Sequence, residues 1–140
     1  MRKLETFTHG DKALRTEFIE TTNVAPGVVC DVYYHPETQE RDLGIIYIEA
    51  GKKTPLQKVL SGDETIEGYI SGKGKLLILK PSGEKLEFEV GPDNEGFSHT
   101  IEVGDIMQWQ AIENLVVFEI CFPPYWEGRF KNLDENEVDF

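Results

Sequence analysis

Cysteine and histidine are scarce in this chain, basic residues are outnumbered, and no long apolar run exists. The two cysteines, Cys30 and Cys121, lie far apart in apolar segments, and neither has a C-x-x-C partner. That excludes a disulfide-dense scaffold and a zinc ribbon, and with no secretory leader two reduced core thiols are expected. The three histidines, His9, His35 and His99, are scattered; His9 sits in the N-terminal arm, His35 precedes Pro36 in a turn, and His99 shares a face with Phe97 and Ile101. A lone His on an apolar face reads as a core or rim residue rather than a ligand. Lys and Arg number 14 against 26 Asp and Glu, a formal net charge of -12. Such a surface repels phosphate backbones and anionic lipid, so neither nucleic acid nor a membrane is an expected partner. No segment approaches the ~20 apolar residues of a membrane span, and residues 1–17 contain no apolar leader. The expected setting is soluble and cytoplasmic.

What is present is a run of short alternating segments. At 140 residues the chain can bury roughly two-thirds of its unfolded surface as one domain. Sustained 3.6-residue periodicity is missing, with at most one helical turn near Lys12 and Leu14, so the pattern is all-β. Strands are predicted over 15–20, 28–34, 43–49, 54–59, 65–71, 75–79, 85–90, 97–103, 106–110 and 115–122. In the clearest hairpin, LLILK runs to KLEFEV through Pro81, Ser82 and Gly83, where Pro fixes φ and Gly supplies a positive φ. Leu86, Phe88 and Val90 alternate there with Glu87 and Glu89, as on a strand with one wet face. So many short strands at this spacing point to a sandwich or barrel. The barrel core is placed at about 27–122, preceded by a short arm, with a C-terminal arm and acidic tail over 123–140.

Residues 51–74, GKKTPLQKVLSGDETIEGYISGKG, carry the most specific pattern. Their frame resembles the first motif of the cupin family, G-x5-H-x-H-x3,4-E-x6-G, in which two His and a Glu hold a metal inside a jelly-roll barrel. Gly51 opens it and Gly72 closes it, while Gln57 and Val59 stand at the histidine positions. Counting on from Val59 selects Glu64 for the family's Glu, whereas counting back from Gly72 selects Thr65. The second motif, G-x5-P-x-G-x2-H-x3-N, is represented by Gly104, Asp105 and Asn114, without its Pro, inner Gly or His. The resemblance spans about 43–124. It implies a cupin jelly roll, often a homodimer, in which the usual metal ligands are replaced by amide and apolar side chains.

Period-2 pleating then assigns faces. With Gly72 setting the register, Thr65, Glu67 and Tyr69 point inward together with Gln57 and Val59. Along 106–110, Gln108 and Gln110 share one face and Met107 and Trp109 the other; Glu119 shares a face with Val117 and Cys121. The candidate ligand-binding set is therefore Gln57, Glu67, Tyr69, Gln108, Gln110 and Trp109, with Glu67 and Glu119 as candidate catalytic acids or bases. A Glu enclosed in a barrel has its pKa raised and suits proton transfer, whereas the plainer reading turns both carboxylates to solvent. No cofactor is expected, though Glu67, Glu119, Gln57 and Tyr69 leave open a weak oxygen site for Mg, Ca or Mn. Tyr69, Trp109, Tyr125, Trp126 and Phe130 suit the mouth of a small-molecule site, or the PPYWEGRF segment packs as an arm on the barrel or on a second subunit. Three functions follow. The first is a metal-independent binder of a small polar molecule, such as a sugar or sugar derivative. The second is an isomerase or epimerase using a buried Glu, or an enzyme with an oxygen-ligated metal. The third is a structural or regulatory dimeric subunit.

Overall fold

Alternation of apolar and polar residues between glycine turns produces thirteen strands and two single-turn 3-10 helices in the computed structural model, which describes residues 3–138. The last two residues of the acidic tail, Asp139 and Phe140, lie outside the described residues. Among them no helix is long and apolar enough to cross a membrane.

The chain opens with a hairpin of β1 (Thr6–His9) and β2 (Lys12–Arg15), where one helical turn was expected. The physical reason is the turn: Gly10 sits at φ 63°, His9 pairs with Lys12, and Phe7 and Leu14 fall on one face. That face has somewhere to go. β3 (Glu17–Ala25), β4 (Val28–His35), β5 (Thr38–Ile48), β7 (Glu64–Ser71), β10 (Ser98–Ile101) and β12 (Leu115–Phe122) form a six-stranded sheet in the order β10-β7-β12-β5-β4-β3. Its outer face carries Tyr33, Leu43, Ile45, Ile66, Phe118 and Ile120, and Phe7 packs on Phe118 edge to face, with centroids 5.0 Å apart. The hairpin thus covers an outer face that would otherwise be an exposed apolar patch.

The second sheet contains β6 (Leu56–Val59), β8 (Gly74–Leu79), β9 (Lys85–Val90), β11 (Ile106–Ala111) and β13 (Phe130–Leu133), in the order β13-β6-β11-β8-β9. The inner faces of the two sheets enclose the main core, which includes Val28, Ile48, Leu76, Ile78, Trp109 and Val117. Pairing extends beyond the expected 27–122, because β3 begins at Glu17 and β13 ends at Leu133. The expected C-terminal arm and acidic tail contain, as far as residue 138, a strand and a 3-10 turn, Glu135–Glu137. β13 completes the open edge of β6, and Lys53 pairs with Glu135 at 2.7 Å.

The motif turns hold the sheets in register. Gly72 at φ 93° leaves no room for a side chain, since a Cβ would come within 1.9 Å of the Asn114 carbonyl oxygen. Asn114 Oδ1 in turn accepts the Ala50 N–H at 2.9 Å. At the Gly104–Asp105 turn the buried Asp105 carboxylate accepts from Lys80 Nζ at 2.9 Å and from the Glu102 N–H at 2.8 Å. Both turns are structural in character.

Candidate functional site

The register of β7 decides which acid enters the barrel. Glu67 stands opposite Glu119 of β12 on one side and His99 of β10 on the other, so all three share the inner face. Thr65 and Tyr69 lie on that face too, as the Gly72 register predicts, and Glu64 is exposed. Glu67 is only 1% exposed, and its Oε1 accepts the Trp109 indole N–H at 2.7 Å. Its other oxygen, Oε2, is buried without a hydrogen-bond partner. Burial first, and the Glu119 carboxyl second, hold the Glu67 carboxyl well above its usual range.

Glu119 faces a cavity of ≈ 800 Å³ inside the mouth of the barrel. The floor and one wall come from β4 and β5, with Cys30, Val32, Gly44 and Ile46; the opposite wall comes from Thr54, Pro55 and Gln57. Gly44 is what leaves the floor open: it pairs with Glu119, and even a Cβ there would approach the Cys30 sulfur to 3.1 Å. Asp42 also lines the cavity and accepts the N–H groups of Cys121 at 2.9 Å and Tyr125 at 2.8 Å. Burial outweighs those two bonds and raises its pKa to about 6. Both cysteines are free thiols on the same inner face; burial pushes the Cys30 pKa up to about 12 and that of Cys121 up as well. Neither is poised as a nucleophile.

The six predicted binding residues separate into three groups. Gln57 lines the cavity, with its Nε2 donating to Asn132 Oδ1 at 3.0 Å. Glu67, Tyr69 and Trp109 point inward but are packed in the interior; the Tyr69 hydroxyl donates to the Gly72 carbonyl at 2.8 Å. Gln108 and Gln110 do not join the inner cluster, because pleating puts them opposite Met107 and Trp109. There Gln108 Nε2 donates to the Thr54 carbonyl and to Glu135, and Gln110 Nε2 donates to Gln108. Of the aromatic candidates, Tyr125 and Phe130 reach the cavity.

Asp42 was missed, although an acid alternating with Gly44, Ile46 and Ile48 was the available signal. The arm residue Arg129 is fully buried, and donates to the carbonyls of Pro123, Glu64 and Phe122 and to Thr65 Oγ1. A second hollow, ≈ 670 Å³ around the Pro26–Gly27 turn, has only Glu49 and Tyr47 as ionisable groups.

The donors at the cupin metal positions do not fit the family's metal. Gln57 is bonded to Asn132, Val59 is core, Glu64 is exposed and Thr65 accepts from Arg129, while the inward-facing Glu67 and His99 lie outside the motif positions, bonded to Trp109 and packed against Phe88 with centroids 4.8 Å apart. No group of three or more His, Cys, Asp or Glu is placed to hold a metal ion among the described residues.

Solved structures resemble the fold. The capsular polysaccharide assembling protein CapF from Staphylococcus aureus superposes with a TM-score of 0.65 at 13% identity, over 85% of this chain and 34% of that one. An oxalate decarboxylase from Lactobacillus farciminis, in a formate complex, gives 0.63 at 16% identity, over 86% of this chain and 33% of that one. The salicylate 1,2-dioxygenase of Pseudoaminobacter salicylatoxidans with gentisate gives 0.55 at 19%, over 71% of this chain and 26% of that one. The chain thus spans about a third or less of the length of these proteins, and the likeness is one of fold. No protein-family model and no curated protein sequence matches it. Two facing antiparallel sheets, the glycine turns of both motifs and these structural likenesses make the chain a small cupin-fold protein, a jelly-roll barrel.

Proposed function

We propose that the chain binds a small polar molecule, a sugar or sugar derivative, in the barrel cavity without the family's metal. The observation that carries this reading is the ≈ 800 Å³ hollow at the barrel mouth, within the range of about 300–1,000 Å³ common for small-molecule sites. Its walls combine apolar side chains such as Ile46, Pro55 and Phe130 with the polar groups of Gln57, Thr54, Asp42 and Glu119. Because Gln57 Nε2 is committed to Asn132, its amide oxygen is the group left to accept from a ligand hydroxyl. Tyr125, half exposed at the rim, offers a ring face for a sugar to stack on.

Thermal-shift screening against monosaccharides, nucleotide sugars and organic acids tests this. Stabilisation by a sugar that Gln57→Ala or Glu119→Gln weakens supports the site. A sugar response that both variants retain in full would place the ligand elsewhere.

A second reading is favoured by one observation, the adjacency of Glu67 and Glu119 with only Glu119 open to the cavity. Two carboxyls in unlike surroundings suit proton transfer in an isomerase or epimerase. Turnover that Glu67→Gln abolishes while binding persists would move this reading ahead. The expected homodimer has its own support: β3 is an edge strand of nine residues, of which eight are exposed, Ile19 at 54%. Sedimentation equilibrium distinguishes monomer from dimer.

A further inference from the structure

The acids of this cavity lack cations. No salt bridge reaches Glu67, Glu119 or Asp42 among the described residues. Arg41, which also borders the cavity, donates instead to Glu40 Oε1 at 2.9 Å and lays its guanidinium over the Phe122 ring at 4.4 Å. Arg129 directs Nη1 and Nη2 to carbonyls and a hydroxyl, and its Nε is buried without a partner. His35 directs Nδ1 to the Arg15 carbonyl oxygen at 2.8 Å, and His99 packs on Phe88. No lysine is among the cavity's lining residues, while Glu20 adds a third carboxylate to Asp42 and Glu119.

The second observation lies behind Glu119. Glu67, 1% exposed, has its Oε1 fixed by Trp109, and its buried Oε2 has no donor outside the Glu67–Glu119 carboxyl pair, whose two members are within hydrogen-bonding reach of each other. Two carboxylates side by side in a barrel require a positive charge or a shared proton between them. The open face of the pair is the cavity, where Glu119 accepts, among the described residues, from the weak S–H of Cys121 at 3.6 Å.

We propose that the ligand of this cavity carries a protonated amine, seated on Glu119 and flanked by Asp42, with the remainder of the molecule along the Gln57 wall. This inference rests on the reading that the cavity binds a small polar molecule, and it names the chemical class. An ammonium supplies a charged donor to Glu119 and Asp42, which have no cationic partner among the described residues. A carboxylate or phosphate ligand meets three acids, while the one arginine on the lining, Arg41, is already paired with Glu40.

The experiment is calorimetric titration at pH 7 and constant ionic strength with matched probes. D-glucosamine is set against D-glucose, N-acetyl-D-glucosamine and D-gluconate, and ethanolamine against ethylene glycol. The expected result is at least about tenfold tighter binding of the amines than of their neutral partners, reduced to within about twofold by Glu119→Gln, with gluconate weakest. If neutral sugars bind the natural chain as tightly as the amines, or gluconate binds best, the charge inference is overturned and the cavity reading stands. If no probe binds, both are overturned. Should Glu119→Gln fail to fold, the amine-to-neutral ratio of the natural chain decides the question alone.

Discussion

Trp109 donates its indole N–H to Glu67 Oε1 at 2.7 Å, linking β11 of one sheet to β7 of the other through the barrel interior. Both residues are buried, and Glu67 has no other donor among the described residues. Trp109→Phe keeps an aromatic ring but strands an acceptor in a dry interior, so it is expected to cost about 1–3 kcal/mol beyond the loss of contact area. Combined with Glu67→Leu, which removes the stranded acceptor, the cost should fall well below the sum of the single changes. Urea unfolding of the two single variants and the double variant measures this coupling. Additive effects would sink the view that the bond matters.

Stability should fall as pH rises from mildly acidic to neutral. Burial raises the folded-state pKa of Asp42 from 3.8 to about 6 and lifts that of Glu67 well above its ordinary value. An acid whose folded value exceeds its unfolded one holds more protons in the native state, so its contribution is full below the unfolded pKa and is lost as pH climbs through the folded one. For Asp42 the window runs from about pH 4 to pH 6, with a loss of at most roughly 3 kcal/mol; Glu67 continues the decline above it. Glu40 and Glu135, whose pKa values are lowered by their cationic neighbours, slope the other way but sit at the surface, where such pairs contribute little. Thermal unfolding between pH 4 and pH 8 at fixed ionic strength is the measurement. Asp42→Asn should flatten the lower part of the curve and Glu67→Gln the upper part. A curve that rises throughout would refute the assignment.

The barrel was legible because its signals are local. Alternation in LLILK and KLEFEV, and the glycines at 51, 72 and 104, mark β8, β9 and the turns within one or two residues of their places. The elements that were missed take their stability from distant partners. TFTH and KALR are too short to show a period of two, and become a hairpin because Phe118 needs a cover. FKNL looks like the start of a polar tail, and becomes a strand because β6 has an open edge. In the site, the inward turn of Glu67 followed from the Gly72 register, since pleating fixes it. The outward turn of Gln108 and Gln110 was left open by alternation, which says that two residues share a face without saying which face is the core. That Met107 and Trp109 are the more apolar pair was the clue. Nothing local announces the burial of Arg129, whose acceptors lie on β7 and at the end of β12.

The two glycines that bound the first motif should respond unequally to alanine. Both hold a positive φ, 79° at Gly51 and 93° at Gly72, which costs an L-residue roughly 1–2 kcal/mol. A Cβ at Gly51 meets nothing within 4 Å, whereas at Gly72 it would come within 1.9 Å of the Asn114 carbonyl oxygen, a backbone atom that cannot rotate away. Gly51→Ala is expected to lose about 1 kcal/mol, and Gly72→Ala about 3 kcal/mol or more as the β7–β8 turn is pushed off Asn114. Chemical denaturation of the pair provides the comparison. Equal losses would show that backbone conformation alone makes glycine necessary at both ends.

Arg129 presents the sharpest stability test, because it is a fully buried cation held by oxygen atoms without a carboxylate. Its guanidinium reaches the carbonyls of Pro123 and Phe122 at the exit of β12, and the Glu64 carbonyl with the Thr65 hydroxyl at the start of β7. It therefore ties the arm to both strands at once. The space for it is made by Gly62, where a Cβ would stand 2.4 Å from the guanidinium carbon. A planar fork with five N–H donors can satisfy four divergent acceptors, and a single ammonium cannot. Arg129→Met removes every donor and leaves those oxygens buried, at about 1–3 kcal/mol for each one that water does not reach. The expected loss is at least about 3 kcal/mol, or roughly 10 °C in Tm for a chain of this size. Arg129→Lys should recover only part of that loss. Limited proteolysis adds a local readout, since cleavage within 123–133 should accelerate in both variants before the barrel itself unfolds. If Arg129→Met were within 1 kcal/mol of the natural chain and resisted cleavage equally, the arm would be held by Phe130 and the β6–β13 pairing instead, and the buried charge would have no structural role.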